Sequence, residues 1–177
     1  MMIHQIIRSN RKSISICVNR NAQVIIRAPL RMPEEKIHTF VFQHTDWIEK
    51  QRRKMQQLPP QKTLTDQEIS ILRKNAKEYL PSRVLYFSKY MNLYPTGIKI
   101  TSARTRFGSC NANNSLCFSL RLMLLPENLI DYVIVHELAH IREKNHSAHF
   151  YAIIEQYLPD YKQRIDTLKT LSWTLPV

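Results

Sequence analysis

The most constraining stretch of this 177-residue chain is Val133 to Phe150, VIVHELAHIREKNHSAHF, where titratable groups are set inside an almost continuous apolar run. Ile130, Val133, Ile134, Val135, Leu138, Ala139 and Ile141 leave a helix through this stretch apolar on nearly every side, and a helix of that kind is buried. His136, Glu137 and His140 therefore enter a core, where an ionisable group without a partner costs several kcal/mol. On an α-helix, at about 100° and 1.5 Å per residue, His136 and His140 stand one turn apart and about 40° from each other, with Glu137 about 60° from His140. Two imidazoles on one face reach a single ion, and a carboxylate to one side addresses a water on that ion instead of the ion itself. The H-E-x-x-H spacing is that of a zinc hydrolase with Glu137 as general base. The competing reading, satisfied core histidines, gives the three groups no common partner.

A catalytic zinc takes a third protein ligand and keeps one position open. Lys144 to Ser147 reads as a helix end, with Asn145 tolerant of the left-handed conformation and Ser147 a good N-cap for AHFYAIIEQYL. A tight turn there swings His146 back toward His136 and His140, which makes it the first choice. His149, in the first turn of the next helix, is the alternative. The longer pattern H-E-x-x-H-x-x-G-x-x-H is matched numerically with His146 last, but Glu143 holds the glycine position and no methionine follows to build a Met-turn.

Composition narrows the rest. Only Gly97 and Gly108 occur, too few for a glycine-rich phosphate loop, and Cys17, Cys110 and Cys117 form neither an even disulfide set nor a C-x-x-C pair. No run approaches the eighteen apolar residues of a membrane span and no signal-peptide core is present, so a reduced, cytoplasmic protein with no membrane contact is expected. The net charge of +12 is uneven: Met1 to Asn92 carries 17 Lys and Arg against 7 Asp and Glu, while Leu93 to Val177 carries 9 against 7. The basic N-terminal half suggests attraction to nucleic acid, or else simply a solvated face.

In chain order, Ile3 to Ser9, Ser13 to Val18 and Gln23 to Ala28 read as short strands of an antiparallel sheet, with a turn at Asn19 to Ala22. One helix is predicted from Pro33 into the basic run Lys50 to Lys54, with His38 and His44 as surface and packing residues. LPPQK, Leu58 to Lys62, reads as a linker. Thr65 and Glu68 form a capping box for a second long helix, which Pro81 should kink or divide. Gly97 to Ala103 and Ser115 to Leu120 read as strands joined by a segment carrying Arg104 and Arg106, each a candidate for holding an anion or a polarised oxygen. Pro126 opens the histidine helix, and Tyr151 and Tyr161 read as packing residues with a lesser claim as oxyanion donors. The fold class is α+β. Residues 1–58 are expected as N-terminal strands and helix within the same compact unit, and residues 63–177 as a zincin-like catalytic domain.

TRFGSC (Thr105 to Cys110), SLRLMLLP (Ser119 to Pro126), IDYVIVHELAHIREKNHSAHF from Ile130, and PDYKQR (Pro159 to Arg164) together resemble the YgjP-like metallopeptidase family over about the last seventy residues. The resemblance implies a cytoplasmic zinc-dependent hydrolase related to the SprT-like proteases, acting on peptide or protein substrates, with the histidine of NHS, here His146, as third ligand. It also implies that the sheet beside the histidine helix pairs with an extended substrate. Some members carry a nucleotide pyrophosphatase label, and a nucleic-acid-binding module with structural zinc is the non-enzymatic alternative. Phe107, the pair Phe118 and Ser119, and Tyr151 depart from the aromatic pattern usual in the family, which alters the cleft wall.

Overall fold

The structure is a computed structural model that describes residues 3–60 and 62–176. The chain forms two compact units, Met1–Pro60 and Gln61–Val177.

In the first unit, β1 (Gln5–Ser9), β2 (Ser15–Val18) and β3 (Val24–Pro29) form one sheet in the order β1-β3-β2. The turn at Asn19 to Ala22 is built by the Asn19 side chain, whose oxygen accepts from the backbone of Asn21 and Gln23 at 3.0 and 2.9 Å. Ala22 takes the left-handed conformation, φ 57°, that closes it. The pairing of β2 with β3 is antiparallel as expected, but β1 runs parallel to β3. The sheet is therefore mixed: the short connection after Ser9 carries the chain across the end of β3, and the central strand is the one with the cleanest apolar alternation, Val24, Ile26 and Ala28, all fully buried. The single helix predicted after Pro33 is two, α1 (Glu34–Gln43) and α2 (Thr45–Gln56). The break at His44 has a local cause. The His44 ring Nδ1 donates to Phe40 O at 2.7 Å and the Thr45 hydroxyl donates to Phe42 O at 2.7 Å, so side chains take up carbonyls that a continuing helix would use.

The second unit opens with α3 (Asp66–Met91), and the capping box is present: Thr65 Oγ1 accepts from Glu68 N at 3.2 Å while Glu68 Oε2 accepts from Thr65 N at 2.8 Å. Pro81 does not divide α3. Pro81 and Lys77, whose carbonyl loses its partner, both lie on the exposed side, where water replaces the missing donor. A second three-stranded sheet follows, β4 (Gly97–Thr101), β5 (Gly108–Cys110) and β6 (Ser115–Ser119), in the order β4-β6-β5. β5 was not apparent in the sequence. It is three residues long, with no alternation to betray it. A 3₁₀ turn (Leu120–Leu124) leads into α4 (Glu127–Arg142), α5 (Ala148–Tyr157) and α6 (Tyr161–Ser172).

α4 is the axis of this unit. It packs against α3, β5, α5 and α6, and Leu129, Ile134, Leu138 and Ala139 are fully buried among Leu80, Phe118, Phe150 and Ile154. Each of the leucine, isoleucine and phenylalanine side chains contributes about 1.5–3 kcal/mol of apolar burial. Its position against α3 is fixed by a two-pronged ion pair, Arg83 Nε and Nη2 to the two oxygens of the buried Asp131, both at 2.6 Å. The same guanidinium lies over the rings of Tyr86 and Phe87, and Asp131 holds it further above the usual arginine range.

Candidate metal centre

The middle of α4 carries His136, Glu137 and His140, and the chain after it turns back. Arg142 ends the helix, Glu143 is extended, and Asn145 O accepts from Ser147 N at 2.8 Å. Ser147 then caps α5 by accepting from Phe150 N at 3.2 Å. Lys144 fixes this turn from one side: its ammonium donates to Asn114 Oδ1 at 2.6 Å and to Asn111 O at 3.0 Å and lies 3.6 Å from Cys110 Sγ, all in the β5–β6 hairpin. His146 is thereby returned to α4.

His136, His140 and His146 each present one ring nitrogen such that the three lie within 4.8 Å of one another. His136 Nε2 and His146 Nε2 are 3.1 Å apart. Two nitrogens bound to one tetrahedral zinc stand about 3.3 Å apart, given zinc–nitrogen bonds of about 2.0–2.1 Å. The other ring nitrogens of the helix pair are occupied. His140 Nδ1 donates to Glu143 O at 3.0 Å, and His136 Nδ1 is 3.3 Å from the Tyr132 hydroxyl. Such outer contacts fix the ring orientations and leave Nε2 of both residues facing the cluster.

Burial, with the neighbouring imidazoles adding to it, pushes His136 down to about 3, and burial also lowers His140. Both rings are neutral, the form that donates a lone pair to a metal. Burial raises Glu137 to about 7, with Arg106 pulling the other way. Glu137 is 5% exposed, and its Oε2 has no hydrogen-bond partner among the described residues. Three imidazoles converging beside a buried carboxylate are a donor set that suits a divalent cation needing an acidified water, so the residues present fit a metal.

The structure does not bring His149 into this cluster; it is exposed in the first turn of α5. Arg104 and Arg106 are exposed, and Arg106 is close enough to act on Glu137 electrostatically. Tyr161 is buried and stacked on Tyr151, whose ring in turn lies 6.3 Å from His146. Phe150 is the residue that sequence reasoning missed. Fully buried, it touches all three imidazoles, with ring centroids 4.5 to 4.9 Å away, and forms the floor on which they stand. Its position three residues after Ser147, facing into the unit from the first turn of α5, was the available signal.

A family model described as YgjP-like, metallopeptidase domain, matches residues 12–72 and 60–171 of the chain. No curated protein matches. Among solved structures, the crystal structure of the metallopeptidase zymogen of Pyrococcus abyssi abylysin is similar at a TM-score of 0.48 and 17% identity, covering 55% of this chain and 98% of that one.

Proposed function

The chain belongs to the YgjP-like metallopeptidase family, a family of metal-dependent hydrolases of peptides or proteins, and on that premise we propose that it cleaves peptide bonds with a zinc ion held by His136, His140 and His146 and with Glu137 as general base. The observation that carries this reading is the convergence of three imidazole nitrogens within 4.8 Å beside a buried, unpartnered carboxylate oxygen.

Zinc bound by three imidazoles supplies Lewis acidity, acidifying a water and polarising the scissile carbonyl. The Glu137 carboxylate takes the proton of the attacking water and passes it to the leaving amine. Glu143 O holds the His140 ring through Nδ1, and Tyr132 does so for His136, so neither ring turns away from the cluster. Phe150 keeps the floor of the site dry. β5 is an edge strand packed on α4, and an extended substrate backbone pairing with its free edge would be carried past Glu137.

Zinc content and substrate class are measured together. The purified protein should carry about one zinc per chain by elemental analysis and cleave an unfolded protein in a chelator-sensitive way, without turning over nucleoside triphosphates. Triphosphate cleavage without peptide cleavage would move the same metal to pyrophosphate chemistry. Zinc with neither activity would favour the structural-zinc module.

A further inference from the structure

The chain has two glycines, Gly97 and Gly108, and each opens a strand beside the same partner, β6. Their surroundings differ sharply. A Cβ built on Gly97 would meet only Ser115 Oγ at 3.6 Å, an ordinary contact. A Cβ built on Gly108 would lie 2.6 Å from Glu137 Cγ, 2.6 Å from Glu137 Oε1 and 2.9 Å from Glu137 Cδ. Non-bonded carbon atoms do not approach that closely, so a side chain at position 108 forces something to move. Neither glycine has a positive φ, so the backbone at position 108 accepts alanine without strain. Glycine is needed there for space alone, and the space is filled by the side chain of one residue.

We propose that Gly108 is a positioning residue for the hydrolytic step: its bare Cα, held by β5 against α4, is the surface that sets where the Glu137 carboxylate lies. This rests on the assignment of Glu137 as the base. β5 is tied in place on both sides of the contact, through Gly108 paired with Phe118, Phe107 O accepting from Ser119 N at 2.8 Å, and Lys144 gripping Cys110 and Asn111. A methyl group at position 108 therefore cannot be relieved by the strand. The partner that must yield is the glutamate from Cγ outward, which turns about its Cα–Cβ bond and carries the carboxylate out of its working position. Because a displacement of about 1 Å at a reacting group is worth about 100-fold in rate, the effect should appear in turnover before it appears in stability.

The test compares Gly108→Ala, Gly97→Ala and Glu137→Gln, each loaded with zinc and assayed on dye-labelled casein, with zinc affinity measured by chelator competition. Gly108→Ala should lower kcat about 100-fold with KM and zinc affinity each within about twofold of wild type, and Gly97→Ala should match wild type throughout. If Gly108→Ala does not fold, combining it with Glu137→Ala, which removes Cγ, Cδ and Oε1 together, should restore the fold. The proposal is overturned by wild-type kcat in Gly108→Ala, by zinc affinity falling in step with kcat, or by a folding defect that Glu137→Ala leaves uncorrected. An active Glu137→Gln would remove the base assignment and Gly108's role with it; an inactive Glu137→Gln beside a fully active Gly108→Ala removes Gly108's role alone.

Discussion

The two sheets of this protein share one plan and have different consequences. In each, the first strand lies parallel to the third, the second lies antiparallel to it, and the third is central: β1-β3-β2 in Met1–Pro60 and β4-β6-β5 in Gln61–Val177. In the first sheet the buried residues are apolar, with Val24, Ile26 and Ala28 in the central strand. The second sheet lies against a helix whose buried face includes Glu137 and whose histidines converge with His146. The same strand order thus serves plain packing in one place and frames ionisable groups in the other. What differs is what the neighbouring helix presents to the sheet.

The strongest way to break this contrast is to remove a histidine from each unit. His136→Ala or His140→Ala should abolish zinc binding and, with it, all hydrolysis. His44→Ala in the first unit, where the ring donates to Phe40 O, should leave zinc content unchanged. Elemental analysis of both preparations decides it.

The hairpin turns offer a finer comparison. Each turn is closed by its own asparagine, Asn19 in β2–β3 and Asn111, whose Oδ1 accepts from Ser115 N at 2.9 Å, in β5–β6, but the β5–β6 turn is also gripped from outside by Lys144. Lys144→Met should weaken zinc binding by about tenfold, the lower end of what outer contacts of a metal site contribute. Asn19→Ala should alter thermal stability alone. Chelator competition and a melting curve on each variant separate the two effects.

A smaller effect concerns how the units start their first helices. α1 has no side-chain cap, while α3 has the Thr65–Glu68 box. Lys62 first, then the Thr65 backbone and hydroxyl, lower Glu68 from 4.5 to about 2. A folded-state pKa below the unfolded one means the stabilisation is complete above about pH 4.5 and is lost as pH falls toward 2. Melting temperatures of wild type and Glu68→Gln should therefore differ at neutral pH and converge near pH 2.

Much of the site was legible because its residues are close in sequence. The H-E-x-x-H spacing, the turn at Lys144 to Ser147 and the Ser147 cap all act over a few residues, where helix geometry alone decides which side chains meet. The long-range contacts were not legible. β5 exists because β6 and α4 receive it, the parallel pairing of β1 depends on a crossover the alternation pattern does not encode, and Gly108 is required by a side chain 29 residues away. The helix break at His44 lay between these extremes. It was written in two side chains able to bond carbonyls behind them, yet the apolar spacing of Ile37, Val41 and Ile48 read through it.

The central claim, that a buried carboxylate on α4 acts as a base beside the metal, is tested most directly by Glu137→Gln. The substitution keeps shape and removes the basic oxygen. Zinc content, melting temperature and hydrolysis of an unfolded protein should be measured on one preparation. The account predicts unchanged zinc, a fold intact at the assay temperature, and a rate lower by about 10² to 10⁴. Wild-type turnover with zinc in place would contradict it.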